Sequence, residues 1–394
     1  MSDKPGILFV VPWDLDAAGG INQVVINLAR ETERQGRLRP IIVCNDWDSE
    51  PFQTSEFEGI TRVSVRLRPP LADQRMLRNL AGFALTMRSE ISAWRRFMRD
   101  HRVEVVNAHY ADPGQALLAL LRRLGRPRFR LVYSLHGADI TAIQEAGSAS
   151  RSTSHWMLKQ ADHVVCCSDS LSNRAREQLP LANVPVSTIH NGIDFAELDR
   201  AKHDPYRPDT GEFDSYLINV ATFEHKKGQD ILLDAYLQLA RDGLSSALVL
   251  VGRSTPHLAT LRSRVRQLGL QDHVFFVTDL DHTRTLAAIR KARLFVLPSR
   301  AEPFGIVLLE AAYMRTPIVA SQTGGIPEVL GRYFPYLVPP DDPDALARTI
   351  DDALFNPTET ERQVRLLRRL VGANFSWQRA YERYEPVWLG EARE

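Results

Sequence analysis

The chain has 394 residues, of which 44% are hydrophobic and 25% charged, and its formal net charge at pH 7 is +1. That length allows two domains of ordinary size, and the balanced charge argues against nucleic acid as a partner. The three cysteines lack the spacing of metal ligands, which argues against a zinc site or a disulfide framework and favours a reducing, cytoplasmic setting.

The first half of the chain alternates short apolar runs with longer amphipathic segments. The opening run, in MSDKPGILFVV, is too short for a secretion signal, and no run along the chain reaches the roughly 18 residues of a membrane span. The runs predicted as strands are residues 7–11, 40–45, 62–67, 103–109, 130–136, 163–168 and 186–190. The helices predicted between them include residues 21–35, 75–100 and 113–124. Apolar strands separated by helices are typical of a parallel sheet with both faces covered.

The second half repeats this alternation. The predicted strands are residues 216–222, 247–252, 273–278, 294–299 and 317–321. The predicted helices are residues 228–241, 258–268, 283–291, 305–314 and 343–355. The sequence therefore predicts an α/β protein with two Rossmann-like, doubly wound parallel-sheet domains.

The segment 189–215 is rich in turn-forming residues and has no clear periodicity, so we place the domain boundary there. The predicted domains are residues 1–192 and 193–374, and the amphipathic helix 375–394 is expected to pack back onto the first domain. Ligands of open parallel sheets bind beyond the carboxyl ends of the strands. We therefore expect the site in the cleft between the domains, formed by residues that directly follow strands.

Two motifs of the first half follow predicted strands. Gly19 and Gly20 precede a helix, where glycines let the backbone approach a phosphate or a sugar hydroxyl, although a simple loop-to-helix turn explains them equally. His136 ends another strand, and Asp139 comes three residues later in SLHGAD. His136 can hydrogen-bond a substrate hydroxyl or donate to a developing charge, or it is a structural histidine.

The first strand of the second half leads into ATFEHKKG. Lys226 and Lys227 lie close to the start of the predicted helix 228–241, where cations oppose the helix dipole. A bound phosphate would reverse that penalty, because it could contact the lysines and the free N–H groups together. The alternative is a solvated pair.

The segment SRAEPFGIVLLEA carries two carboxylates, Glu302 and Glu310, around a predicted helix start. Pro303 suits the first helical turn, and the N–H groups of Phe304, Gly305 and Ile306 can bind a phosphate there. Glu310 interrupts an apolar run, so it needs either a partner or a surface position. Two carboxylates separated by on the order of 12 Å along a helix can bind opposite ends of a long ligand such as a sugar nucleotide.

The motif QTGGIPE follows the last predicted strand. Gly324 and Gly325 repeat the pattern of a backbone that can approach a phosphate or a sugar. Glu328, at the start of the next short helix, is explained equally well as a carboxylate that favours a helix N-terminus.

These motifs resemble the retaining glycosyltransferases of family 4, which have the GT-B fold. The resemblance covers nearly the whole chain, through GG at 19–20, HGAD, IHNGID, KKG, EPFGIVLLE and TGGIPE in the order of the family. It implies that Glu310 binds the nucleotide ribose and that Lys227 neutralises the diphosphate. It also implies that Glu302 and the backbone of 304–306 contact the donor sugar and diphosphate. His136 would contact the donor sugar, Asp139 would lie in the acceptor cleft, and the glycine loop 19–20 would line the phosphate and acceptor region.

The resemblance implies no cofactor and no metal, with a UDP- or GDP-linked sugar as substrate and a saccharide or a lipid-linked acceptor. The sequence departs from the family at Thr222, where an arginine is usual, and Arg253 or Lys226 is the candidate replacement. It also has Thr278 and Asp279 where the family has a glycine after the third strand of this domain. That loop often contacts the base, so the base stays open.

Residues 75–102 contain seven arginines against two acidic residues, and residues 122–130 contain five arginines. A basic helix with interspersed apolar residues can rest on an anionic membrane surface at the inner face, or it is a solvated amphipathic helix. The resemblance implies a glycosyltransferase of bacterial surface polysaccharide or glycolipid synthesis. A sugar-nucleotide epimerase of the same fold and a non-catalytic nucleotide-sugar-binding scaffold remain as alternatives, and the oligomeric state is open.

Overall fold

The computed structural model describes residues 4–15, 19–70 and 76–391, with side chains omitted for residues 76–84. The chain divides into two compact units. The first unit comprises Met1–Asn191 with Trp377–Glu394, and the second comprises Gly192–Ser376. The first division lies one residue from the predicted boundary at 192/193, and the C-terminal helix belongs to the first unit.

The first unit contains one sheet. Among the described residues its strands are β1 Gly6–Val11, β2 Arg39–Asn45, β3 Gln53–Phe57, β4 Ile60–Val65, β5 Val103–His109, β6 Arg130–Leu135, β7 His163–Cys166 and β8 Val186–Thr188. They are ordered β3-β4-β2-β1-β5-β6-β7-β8. The strand order reverses between β1 and β5, which is where ligands of such sheets bind. Strands β1, β2, β5 and β6 are almost wholly buried, as the apolar runs predicted.

The sequence analysis did not predict strand β3, which pairs antiparallel with β4 at the edge of this otherwise parallel sheet. The two strands are joined by Glu58 and Gly59, whose φ angles of 50° and 81° are those of a tight hairpin turn. Strand β3 is exposed along most of its length, so it lacks the buried apolar run by which the other strands were recognised.

The second unit contains a sheet that is parallel throughout its described strands. These are β9 Tyr216–Val220, β10 Ala247–Gly252, β11 Val274–Thr278, β12 Leu294–Leu297, β13 Ile318–Ser321 and β14 Leu337–Val338. Their order is β11-β10-β9-β12-β13-β14, and the order reverses between β9 and β12. The segments that follow β9, β12 and β13 therefore emerge side by side at one edge of the sheet.

Helices cover the sheets. In chain order they are α1 Gly20–Gln35, α2 Met76–Asp100, α3 Ala116–Leu124, α4 Ala138–Glu145, α5 Ser148–Leu158, α6 Asp169–Gln178, α7 Phe195–Ala201, α8 Gln229–Arg241, α9 Pro256–Gln267, α10 His282–Lys291, α11 Ile306–Tyr313, α12 Ile326–Leu330, α13 Pro343–Phe355, α14 Pro357–Asn374 and α15 Trp377–Leu389. Short 3-10 turns occupy Pro113–Gln115 and His225–Lys227. Within the described parts of the chain, no helix is long and apolar enough to cross a membrane.

Helix α15 packs into the first unit through its aromatic stripe. Trp388 is 1% exposed, and its Nε1 donates to Asn107 Oδ1 at 2.9 Å, in the middle of the sheet. The Tyr384 hydroxyl lies 3.2 Å from Ser134 Oγ. The amphipathic pattern at the end of the chain thus predicted a helix whose apolar face is buried.

Candidate active site

Three loops of the second unit meet at the carboxyl edge of its sheet. The loop after β9 brings Lys227 to the loop after β12, where its Nζ lies 2.8 Å from Glu302 Oε2. The two side chains are only 15% and 10% exposed, so the ion pair is largely withdrawn from water. Two residues that the sequence selected separately therefore form one charged pair at the strand ends.

Glycines set the shape of these loops. A Cβ on Gly324, whose φ is +54°, would lie 1.9 Å from the carbonyl oxygen of Glu302, and a Cβ on Gly325 would lie 2.5 Å from that of Pro303. The N–H of Gly325 donates to the same Glu302 carbonyl at 2.9 Å. The structure thus gives Gly324 and Gly325 a packing contact under the Glu302 loop, whereas the sequence suggested contact with a ligand.

Helix α11 begins at Ile306, with Gly305 as its cap at a φ of +92°. The helix predicted at 305–314 is confirmed within one residue at each end, but Pro303 lies two residues before the cap and so outside the first turn where it was expected. Phe304 is 2% exposed and its ring lies 6.1 Å from that of Phe375, so its side chain packs in the interior. The first N–H groups of a helix have no intrahelical partner, which makes this start suited to an anion.

Glu310 lies on α11 and is 9% exposed, so the sequence was right that it needs a partner. That partner is His282, at the start of α10, whose Nε2 lies 2.9 Å from Glu310 Oε1. The other ring nitrogen, Nδ1, lies 2.7 Å from Glu197 Oε1 on α7. Burial alone would lower the pKa of His282, but the carboxylates of Glu310 and Glu197 together raise it to about 10. The ring is therefore an imidazolium that donates to both carboxylates.

The other predicted cations lie apart from this pair. Lys226 extends to Glu224, with Nζ 2.6 Å from Oε2, and both side chains are well exposed. Consecutive residues of a 3-10 turn point about 120° apart, which explains why Lys226 and Lys227 diverge. Arg253 is exposed beyond the end of β10. Lys227 is therefore the lysine of this turn that pairs with Glu302, and Lys226 pairs with Glu224.

Arg300 is a site residue that the sequence analysis missed. Its guanidinium binds Asp230 in a bidentate manner at 2.8 and 2.7 Å and lies 2.6 Å from Asp341 Oδ1. Its backbone N–H donates to the carbonyl of Lys226 at 2.9 Å. Arg300 thus joins the lysine loop to the Glu302 loop. Its position directly after a strand and two residues before Glu302 was the available signal.

Asp279 adopts a φ of +59°, in the region that glycine favours. This is the position after β11 where the sequence departs from the family by lacking a glycine. Aspartate tolerates left-handed backbone better than most residues. The departure therefore changes the side chain and keeps a backbone conformation that a glycine would also adopt.

In the first unit, His136 follows β6 and lies against His109, at the end of β5. His136 Nε2 is 3.1 Å from His109 Nδ1, and the two rings are stacked. Burial lowers the pKa of His136 to about 4, and burial with the neighbouring ring holds the pKa of His109 well below its usual value. Both rings are therefore neutral at pH 7. The sequence analysis did not identify His109.

The buried Nε2 of His109 has no hydrogen-bond partner within the described residues. A proton there would be a buried unpaired donor, so the favourable tautomer carries the proton on Nδ1 and donates it to His136 Nε2. His136 then carries its own proton on Nδ1.

Asp139 is fully buried in the first turn of α4, the helix that follows β6. Its carboxylate accepts from the backbone N–H groups of His136, Gly137 and Ile140 at 2.8–3.0 Å. Burial raises its pKa, and these hydrogen bonds oppose the rise. The structure uses Asp139 to hold the His136 loop, whereas the sequence suggested an acceptor contact.

Gly19 and Gly20 open helix α1. Gly19 is extended, and a Cβ added to either residue would meet no atom within 4 Å among the described residues. Packing within the first unit therefore does not require glycine at these two positions.

Two doubly wound units, with charged side chains at the strand ends, define the class of GT-B glycosyltransferases. Residues 18–197 match the family described as Glycosyltransferase Family 4, and residues 204–367 match Glycosyl transferases group 1. A glycogen synthase from Mycobacterium tuberculosis is 30% identical over 303 residues, which are 75% of this chain and 70% of that protein. The chain belongs to the family 4, group 1 glycosyltransferases.

Solved structures share the fold over nearly the whole chain. A sucrose-phosphate synthase from Thermosynechococcus elongatus has a TM-score of 0.76 at 22% identity, covering 98% of this chain and 99% of that one. HepE from Anabaena, in complex with UDP-glucose, has a TM-score of 0.73 at 18% identity, with 98% and 99% covered. At these identities the likeness concerns the fold alone.

Proposed function

We propose that this glycosyltransferase transfers a sugar, with retention of anomeric configuration, from a UDP- or GDP-linked donor to a hydroxyl of a saccharide or lipid-linked acceptor. The proposed context is the synthesis of cell-surface polysaccharide or glycolipid on the cytoplasmic side. The observation that carries the proposal is the buried pair of Lys227 and Glu302 at the start of helix α11.

The donor would extend along α11. Its diphosphate would lie at the N–H groups around Gly305 and beside Lys227, and its ribose would reach Glu310. Glu310 lies four positions after Ile306, about 6 Å along the helix, which is on the scale of a diphosphate and its ribose. The proposal is supported by the HepE complex, whose ligand is a nucleotide sugar of this form.

The chemistry requires stabilisation of a leaving nucleoside diphosphate. The acceptor oxygen would form its bond to the anomeric carbon on the face from which the diphosphate departs. The bond between that carbon and the phosphate oxygen breaks, and the acceptor proton passes to the leaving diphosphate. The Lys227 ammonium and the helix N-terminus would stabilise the charge where it develops, which is usually the largest catalytic effect. We propose that no metal and no protein base are required, and that His136 contacts the donor sugar.

The test is turnover of UDP- and GDP-linked sugars with saccharide and lipid-linked acceptors, in EDTA and in added Mg²⁺. NMR of the product reports the anomeric configuration. We expect turnover in EDTA, with retention of the anomeric configuration. In Glu310→Gln and in Lys227→Ala the turnover rate should fall by at least about a hundredfold. Glu359→Gln on α14 is the control, because its carboxylate forms an exposed pair with Arg362. Inversion or strict metal dependence would contradict those parts of the proposal, and sugar release without acceptor would favour an epimerase.

We also propose that the first unit contacts an anionic membrane surface. Arg95, Arg99, Arg102 and Arg126 line a cavity of about 500 Å³ at the end of α2, with Glu104 as the acidic residue among its lining. Of the basic segment proposed from sequence, residue 75 and the side chains of 76–84 lie outside the described part. Flotation with anionic vesicles, compared with neutral vesicles, tests the contact. The experiment is repeated at 0.5 M salt, where the Debye length is on the order of 4 Å and electrostatic binding is screened. Equal recovery with both vesicle types would contradict it.

A further inference from the structure

We propose that His282 is a positioning residue for the nucleotide ribose. Its ring connects helix α7 to helix α11 and donates a hydrogen bond to one carboxylate oxygen of Glu310. The other carboxylate oxygen of Glu310 then accepts hydrogen bonds from the two ribose hydroxyls. The inference rests on the proposed function, because Glu310 binds a ribose only if the donor is a nucleotide.

Two hydrogen bonds of its ring and the capped helix start of its backbone fix the position of His282. Its Nε2 lies 2.9 Å from Glu310 Oε1, and its Nδ1 lies 2.7 Å from Glu197 Oε1. The ring belongs to the first residue of α10, whose start is capped by the Asp281 carboxylate accepting from Arg284 N at 2.8 Å. A ring with two N–H groups satisfies both carboxylates, whereas a neutral ring could donate to only one.

A second contact joins α7 directly to α11. The Tyr313 hydroxyl, at the end of α11, donates to Asp199 Oδ1 on α7 at 3.0 Å, and the rings of Phe195 and Tyr313 are 4.9 Å apart. Helix α7 is the first helix of the second unit. The position of Glu310 is therefore set by α7 and α10 as well as by its own helix.

The charge of His282 determines what Glu310 can do. The Glu310 side chain is 11% exposed, and a carboxylate so buried is costly without a cation, so removal of His282 should turn it toward solvent. A carboxylate that has turned away would no longer offer the two ribose hydroxyls a charged acceptor in a fixed position. The charged groups that face His282 are Glu197 from α7 and Glu310 from α11. These two carboxylates keep the ring protonated at neutral pH.

The experiment measures dissociation constants of UDP, GDP and ADP and of their 2′,3′-dideoxy analogues, by calorimetry, on wild type and variants. For the base that binds, wild type should prefer the ribose form by at least about tenfold, the scale of a hydrogen bond to a charged group. His282→Ala should reduce this preference to less than about threefold while changing the affinity of the dideoxy form little. Arg284→Gln, on the same helical turn but in an exposed pair, should keep the wild-type preference.

Two further variants separate positioning from general damage to the fold. His282→Gln can still donate to Glu310 but carries no charge, so an intermediate preference is expected. Glu197→Gln removes a carboxylate that raises the pKa of His282. Wild type should keep its preference for the ribose form as pH rises until it approaches 10. Glu197→Gln should lose the preference at a lower pH, because its His282 ring loses the proton earlier. A purely structural role would not move that pH.

The outcomes distinguish the two proposals. If wild type binds none of the nucleotides, the proposed function fails and the inference fails with it. If wild type prefers the ribose form and His282→Ala keeps the full preference, the inference is overturned and the proposed function stands. A wild-type protein that binds both forms equally also overturns the inference.

Discussion

Replacing Gly324 by alanine should disrupt the Glu302 loop more than any comparable glycine substitution in the second unit. The new methyl group would lie 1.9 Å from the Glu302 carbonyl oxygen, and real contacts of this kind do not come below 3.0 Å. The Glu302 backbone would have to move by roughly 1 Å, which would disturb the pairing of its side chain with Lys227. The left-handed φ of +54° adds strain of its own.

The magnitude follows from three effects. Left-handed backbone costs about 1–2 kcal/mol for an alanine, and loss of the hydrogen bond from Gly325 to Glu302 costs about 1 kcal/mol. Overpacking adds about 1–3 kcal/mol. We expect a total of about 3–6 kcal/mol. Gly269→Ala is the matched control, because Gly269 has a φ of +72° and open space around its Cβ, so only the backbone strain applies.

The assay is urea unfolding followed by circular dichroism and by tryptophan fluorescence. All six tryptophans belong to the first unit, so fluorescence should stay at the wild-type midpoint while the dichroism of the second unit shifts. Nucleotide affinity should fall in Gly324→Ala and not in Gly269→Ala. Equal unfolding of the two variants, with nucleotide affinity unchanged, would refute the reasoning.

Three other predictions use the same two probes. Lys227→Ala should destabilise the second unit by about 3 kcal/mol, because it leaves the Glu302 carboxylate without its cation. Lys226→Ala should change the stability by less than about 1 kcal/mol, and a similar loss in both variants would contradict the assignment of Lys227 as the partner of Glu302. Trp388→Ala should cost about 3–5 kcal/mol in the first unit, and a midpoint unchanged in dichroism would refute its role in the core. The pKa of His136 falls from 6.5 to about 4 on folding, so the stability that the neutral ring contributes should be fully present above pH 6.5 and should be lost as pH falls toward 4. In His136→Gln the free energy of unfolding should therefore depend less steeply on pH over this range.

The sequence predicted the sheets well where strands are buried on both faces. The runs at 247–252 and 103–109 match β10 and β5, because a buried parallel strand is a nearly unbroken apolar segment. Strand β3 is exposed and escaped this pattern. Helix α7 lies in a segment that was predicted to lack periodicity. It is short, and its start is fixed by the Asp194 side chain accepting from two backbone N–H groups.

The candidate site was predictable to the extent that it follows strand ends. Lys227 and Glu302 were found because each follows a predicted strand close to a helix start and matches a family motif, and Glu310 because a carboxylate in an apolar run needs a partner. The identity of that partner was not predictable. His282 is 28 residues from Glu310 in the chain, and the contact depends on how two helices pack. His109 was missed for a similar reason, since it meets His136 only through the pairing of β5 with β6.

The central claim is that the second unit binds a nucleotide diphosphate through the Lys227–Glu302 pair and Glu310. Its most direct test is calorimetric titration of UDP, GDP and ADP into wild type and Glu310→Gln, in EDTA. We predict binding of one base in the micromolar range or tighter, weakened at least about tenfold in Glu310→Gln, with Glu359→Gln unchanged. No binding to wild type, or equal binding to wild type and Glu310→Gln, would contradict it.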